Sequence, residues 1–328
     1  MVLRSMPRPA WLNSDGPEAD IVISSRCRIA RCIAGFRFPH AAPVEELREI
    51  QTAIERAIRS SKLGLKQQKN ISDAERDFLL GTRMISPDFQ FREPFRSLFI
   101  DESRTISLMV NEEDHLRAQA LTAGFSIEDA ESAVQGVVDQ LADHLVFMQT
   151  EKLGYLAASP VNAGAARRRS ALFHLLGLAL TRRLNVVLTA LGDWGVVARG
   201  LYGEASRGVG GFFQVSLTKG RVEDFRGACN YLINEERAAR ALISEAELAE
   251  LAAAAKDSAI ASKEITLADA LKALAWIRWA ASANVKGFEI STNEVDFWTS
   301  TMEVHGTQEA KIASRHRAIF LRERFERI

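Results

Sequence analysis

From about residue 222 onward the sequence is almost wholly helix-forming, and before that point it is mixed; no other feature narrows the fold as much. "NYLINEERAARALISEAELAELAAAAKD" and "LADALKALAWIRWAASA" are built from Ala, Leu, Glu and Arg at helical period. Ahead of 222, β-branched runs alternate with amphipathic stretches. The expectation is an α+β domain over residues 1–222 followed by an all-α domain over residues 223–328. Trp276 and Trp279, three apart on a helical stretch, read as core or subunit interface.

Within the first part, "DIVISSRCRIARCI" predicts a strand, with Arg26 and Arg28 on one face because side chains alternate. Residues 44–61 have helical spacing and follow Pro43, which suits a helix start. "RSLFI", "DESR" and "TISLMV" predict a hairpin that ends in "NEEDHLR". Ser126 with Asp129 resembles a capping box before a helix running to about residue 149. "GYLAAS" predicts a short strand, "NAGAARRR" a turn entering a helix "RSALFHLLGLALTRRL", and "NVVLTAL", "WGVVARGLYG" and "GFFQVSL" further strands.

Forty-two basic and 42 acidic side chains cancel, so no overall field draws the chain to nucleic acid or an anionic membrane. Any anion site has to be local. Cys27, Cys32 and Cys229 lack metal-ligand spacing and read as packing residues in a reducing compartment. The first 20 residues hold no apolar stretch of signal length, and no window approaches the roughly 20 apolar residues of a membrane span; a cytoplasmic protein is expected.

Charged residues gather at turns and strand ends: Arg26 and Arg28, Glu113 and Arg117, Arg167 to Arg169, Arg199, and Glu204. An acidic turn such as "NEED" is ordinarily a solvated one, and scattered arginines are ordinarily surface residues. Two arginines inside an apolar strand, however, have to be explained. Guanidinium groups bind phosphate through paired, charge-assisted hydrogen bonds, so several converging on one pocket suit a nucleoside triphosphate. No "GxxxxGK[ST]" loop is present to supply a backbone cradle.

"SSRCRIAR", "VNEEDHLR", "GYLAASPVNAG" with "RRRSA", and "RGLYGEAS" with "GGFFQVS" resemble, in order and spacing, the ATP:guanidino phosphotransferases. More narrowly the chain resembles the bacterial protein-arginine kinases of the McsB type, from "GPEADIVISSR" through "NEERAAR" to "RAIFLRERF". The resemblance implies a guanidino-kinase, glutamine synthetase-like catalytic domain: an antiparallel sheet flanked by helices. It implies that Arg26, Arg28, Arg117, Arg168 and Arg199 clamp the phosphates of ATP with Mg2+, and that Glu113 and Glu204 hold the acceptor guanidinium. It further implies transfer to arginine side chains of proteins, marking them for a Clp-type protease, with a zinc-binding activator protein and a homodimer as partners.

Two stretches depart from the family pattern. Where the family has a reactive Cys, this chain has Ser159, whose hydroxyl stays neutral and cannot supply a thiolate's charge. The family's C-terminal "RDxxRA" is here "ASRHRA", residues 313–318, which keeps Arg317 and Ala318 and places His316 on a helix surface. Two rival readings stand beside the protein kinase. A kinase for free arginine or another small guanidino compound would have a helical domain ahead of the "SSRxR" strand, where this chain has about 20 residues. A silent nucleotide-binding regulator is kept open by Ser159.

Overall fold

The computed structural model describes residues 6–89, 93–201, 208–302 and 310–328. In chain order the elements are β1 (Val22–Arg31), α1 (Val44–Ser60), β2 (Lys66–Gln68), α2 (Asp73–Gly81), β3 (Ser97–Ile100), β4 (Ile106–Val110), β5 (Leu116–Ala123) and α3 (Ile127–Ala142). There follow β6 (Gln149–Thr150), β7 (Gly154–Tyr155), β8 (Arg167–His174), α4 (Leu176–Leu180), α5 (Leu184–Ala190), β9 (Val197–Gly200) and β10 (Phe212–Leu217). The helices α6 (Val222–Arg240), α7 (Glu245–Ala261), α8 (Leu267–Ser282), α9 (Thr292–Thr301) and α10 (Ala310–Phe325) complete the chain.

Among the described residues, eight strands form one sheet in the order β2-β3-β4-β5-β1-β8-β10-β9, with every neighbouring pair antiparallel. β1 lies at its centre between β5 and β8, so both of its edges are paired and its side chains divide by parity between the two faces of the sheet. Cys27 and Ile29 point to one face, where α1, α3 and α6 supply Ile50, Ile54, Val134, Val138, Phe225 and Leu232. On the other face Leu121, Leu172, Met109 and Phe212 pack with Trp11, Leu79 and Phe89. That second cover is incomplete, and the uncovered part of the face is where Arg26 and Arg28 lie.

A separate helical core joins Leu248 and Ala252 of α7, Leu274 and Trp279 of α8, Trp298 of α9 and Leu321 of α10. Composition changes near residue 222, but α6 still packs on the sheet through Phe225, Ala228 and Leu232, and the helical core begins only with α7. Trp276 and Trp279 stack at 5.8 Å, with Trp279 inside this core. The two cores are tied by buried charges: Arg278 bonds Asp296 and the carbonyls of Ala19 and Asp20, just ahead of β1. Arg240 reaches from α6 to Glu236, to the Asp20 carbonyl and to His174.

Several local expectations are corrected. "RSALFHLL" is the strand β8 followed by the short helix α4, because β8 is a central strand whose faces are both buried, which makes it a continuous apolar run rather than an alternating one. "NVVLTA" is the helix α5 with Val186 exposed, so its β-branched residues are overridden by context. α3 stops at Ala142 rather than 149, because residues 146–148 turn back to pair with Cys32, Ile33 and Ala34. Ser126 bonds the Asp129 carboxylate and not the helix backbone, and its own amide donates to Ser25 Oγ, so neither bond of a capping box is made. "GYLAAS" retains just two strand residues, in β7.

The three cysteines are free and buried, and burial pushes the Cys27 thiol up to about 12, as packing residues require. Among the described residues no helix is long and apolar enough to cross a membrane.

Candidate active site

The register of the sheet brings the arginines together. Arg28 on β1 sits opposite Arg168 on β8, Ala30 sits opposite Arg117 on β5, and Arg199 on β9 sits opposite Gln214 on β10. Alternation sends Arg168 to the open face and its neighbours to the other, where Glu131 of α3 holds both Arg167 and Arg169. The result is a cavity of about 570 Å3 lined by Arg26, Arg28, Arg117, Arg168, Arg199 and Glu113. Residues drawn from four separate segments of the sequence thus line one cavity.

The acidic turn resolves into distinct jobs. Asn111 takes a left-handed backbone conformation (φ 54°), which Asn tolerates better than most residues, and its amide bonds the carbonyls of Leu47 and Phe95 at 2.9 Å. Asp114 is fully buried and accepts from the Ala158 amide at 2.7 Å and from the Cys32 thiol. His115 is also buried: its Nδ1 accepts from the Ile33 amide at 2.9 Å, so Nε2 donates to the Arg37 carbonyl at 2.8 Å. Glu112 is buried too, receiving Ser86 at 2.6 Å, Arg117 at 2.7 Å and the Glu113 amide at 2.8 Å. Only Glu113 lines the cavity, with Oε2 accepting from Arg117 at 2.8 Å. Burial, against the pull of Arg117, raises the Glu113 carboxyl above the ordinary glutamate range.

Positive charge is in excess at the floor of the cavity. Burial first, then the neighbouring guanidiniums, pull Arg28 down to about 9 and Arg26 well below its ordinary value. A further arginine, Arg83, was not singled out from the sequence, yet it lines the cavity and donates to Ser24 and, at 3.3 Å, to Gln214. Gln214 accepts from Arg26 at 2.9 Å as well, while the buried Nε of Arg26 finds no acceptor among the described residues. Arg168 donates to Ser216 at 2.8 Å. So many buried cations repel one another unless an anion lies among them, and the arrangement is that of a polyanion site.

Arg83 could not be singled out because it lies in an ordinary-looking "GTRMISP" and is delivered by α2 only in three dimensions. Gln214 likewise lies in an ordinary strand sequence, whereas Glu112 belongs to the acidic turn and only its bonds to Ser86 and Arg117 separate it from Glu113. Of the residues expected from the sequence, Ser159 is half-buried at the head of a 3-10 turn over Pro160–Asn162 and is not among the cavity-lining residues, although Asn162 is. Glu204 lies outside the described residues. Far from the cavity, His316 is exposed on α10 and Arg317 is buried, donating to the Ile265 carbonyl at 3.2 Å.

Residues 46–239 match the family model described as ATP:guanido phosphotransferase, C-terminal catalytic domain. The chain belongs to that family. Among curated relatives, the protein-arginine kinase of Halalkalibacterium halodurans is 35% identical over 253 residues, covering 74% of this chain and 71% of its own. The protein-arginine kinase of Geobacillus stearothermophilus is 36% identical over 244 residues, covering 70% and 67%. Among solved structures, a lombricine kinase superposes with a TM-score of 0.60 at 21% identity, covering 73% of this chain and 74% of that one. The substrate-free duplicated taurocyamine kinase from Schistosoma mansoni gives a TM-score of 0.58 at 17% identity, covering 92% and 51%. These structural likenesses establish the guanidino-kinase fold, and the family's nucleotide substrate is ATP.

Proposed function

We propose that this chain is a protein-arginine kinase that transfers the γ-phosphoryl group of ATP to arginine side chains of proteins. The observation that carries this reading is the cavity in which Arg26, Arg28, Arg117, Arg168 and Arg199 face Glu113, in a chain whose curated relatives are named protein-arginine kinases. In-line phosphoryl transfer asks a protein mainly for positioning and charge neutralisation, which a floor of guanidiniums supplies. Mg2+ would enter with the nucleotide, as part of the substrate Mg-ATP.

The acceptor is a guanidinium whose pKa exceeds about 12, so its nitrogen attacks phosphorus only as a proton leaves. Glu113 is placed to accept that N–H and take the proton, exchanging its bond to Arg117 for one to the acceptor. Glu112 keeps its own bond to Arg117 and so holds that guanidinium at the phosphate. Glu204 belongs to this proposal as the second carboxylate on the acceptor.

Mass spectrometry of an arginine-rich model protein and of free arginine, each incubated with the chain and Mg-ATP under conditions that preserve the acid-labile P–N bond, tests the reading. Phosphate on protein arginine is expected. Phosphate on free arginine alone would replace it with the small-guanidino kinase, and phosphate on neither would favour the silent regulator that Ser159 keeps open.

Marking of substrates for a Clp-type protease, a zinc-binding activator and homodimerisation through the helical C-terminal part belong to the same proposal. A monomer in light scattering at micromolar concentration would remove the last of these.

A further inference from the structure

The cavity extends beyond the arginines, and its far end is closed by the helical C-terminal part of the chain. Direction along the floor follows from the register. Arg117 and Glu113 lie at the Ala30 end of β1, the Arg28–Arg168 pair comes next, then Arg26, and last the row of Ser24, Leu172 and Gln214. Ser24 is four residues from Arg28, about 13 Å along a strand, which is roughly the span from a terminal phosphate to a nucleobase. At that far end two charged groups are already partnered, Arg83 by Ser24 and Gln214 and Asp296 by Arg278, and the lining around them is uncharged: Leu80, Gly81, Leu172, Leu201, Thr299 and Ser300.

Thr299 and Ser300 belong to α9, whose Trp298 is part of the helical core and whose Phe297 packs against the core under the sheet. Three fastenings hold this helix against the sheet. Asp296, itself on the cavity wall, receives Arg278 at 2.7 Å, and Arg278 is anchored at 2.8 Å to the carbonyls of Ala19 and Asp20. Arg8 donates to Glu294 and to the Asn293 carbonyl, each at 2.6 Å. Gly81 of α2 abuts the Ser300 backbone so closely that a Cβ would stand 1.9 Å from the Ser300 carbonyl oxygen. The wall is therefore preorganised, and it is built from the part of the chain beyond the catalytic family match at 46–239.

We propose that α9 forms one wall of the nucleobase subsite, with a purine held between Leu172 and Leu201 on the sheet side and Gly81 and Ser300 on the helix side. Ser300, half-buried and part of that lining, then controls how well the base fits. This rests on the reading of the arginines as the phosphate site. It makes the helical part a component of substrate recognition as well as of the fold.

The test separates base from phosphates. Calorimetric titration of the full chain with Mg-ATP and, separately, with magnesium tripolyphosphate reads the two ends of the cavity independently. Ser300→Trp, which fills that end of the cavity, is expected to weaken Mg-ATP by about tenfold or more and to leave tripolyphosphate within about twofold, with the retained tripolyphosphate binding certifying the fold. Ser300→Leu should give the same pattern with a smaller loss. Unchanged ATP affinity in Ser300→Trp, or equal loss of both ligands in both variants, overturns the proposal. A wild-type chain that binds tripolyphosphate as tightly as ATP also overturns it, because the base would then contribute nothing. Binding of neither ligand by the wild type would overturn the nucleotide reading and this wall with it.

Discussion

Glu113→Gln is expected to reduce phosphoryl transfer by about 10²- to 10⁴-fold, the usual contribution of a positioned proton acceptor, while ATP affinity stays within a few-fold. The amide preserves the size of the side chain and one hydrogen-bond acceptor, so the turn held by Asn111, Glu112, Asp114 and His115 remains in place. On the proposed mechanism, what is lost is the charge that orients the acceptor guanidinium and the site that takes its proton. The pH profile gives a second reading of the same residue. Burial raises the Glu113 carboxyl, and only its ionised form can accept a proton. The acid limb of the wild-type single-turnover rate is therefore expected above the ordinary glutamate range and is absent from the residual rate of the variant. A variant that transfers at the wild-type rate would remove Glu113 from the chemistry, and an acid limb unmoved by the substitution would assign that limb to another group.

Arg28→Met is expected to act in opposite directions on binding and on stability. Mg-ATP affinity falls by about 10- to 100-fold, the cost of deleting charge-assisted bonds to phosphate. The ligand-free protein, by contrast, becomes harder to unfold. Arg28 is destabilised by burial and by Arg117, Arg168 and Arg83, and Glu112 offsets them in part. Removing one of these cations relieves the repulsion, and methionine fills most of the vacated space. Each 1 kcal/mol recovered raises the melting midpoint by about 2–4 °C in a domain of this size. Scanning calorimetry with and without Mg-ATP reads both effects, since a bound nucleotide stabilises the wild type far more than the variant. A lower ligand-free midpoint combined with unchanged ATP affinity would show Arg28 to be structural. The expected pattern is the stability cost of a site held ready for a polyanion.

Where the chain carries strong local signals, sequence and structure agree. "DIVISSRCRIARCI" is a strand with Arg26 and Arg28 on one face because strand parity is a local property, and the hairpin ending in "NEED" follows from the polar turn between two apolar runs. The helices beyond 222 follow from propensity and period. The arginines of the candidate site were legible in type, because two arginines on one face of an otherwise apolar strand call for a partner, although Arg167 and Arg169 show that the partner can be a structural carboxylate.

The errors lie where the environment outweighed the local signal. "RSALFHLL" has helix-forming residues but becomes the strand β8, since β1 and β10 pair its backbone on both edges while the two cores bury Ala171 and Phe173 on one face and Leu172 on the other. That one change of assignment also turns Arg168 from the end of a turn into the partner of Arg28.

The sequence by itself determined the main classes of element, the family, and five arginines and a glutamate that line the cavity, because these depend on residue type and short-range spacing. Only the tertiary structure decided that Glu112, Asp114 and His115 face inward while Glu113 alone faces the cavity, that Arg83 and Gln214 join the site, and that α9 closes its far end. Those facts depend on sheet register and on helices packed from more than 100 residues away, and neither leaves a periodicity to read along the chain.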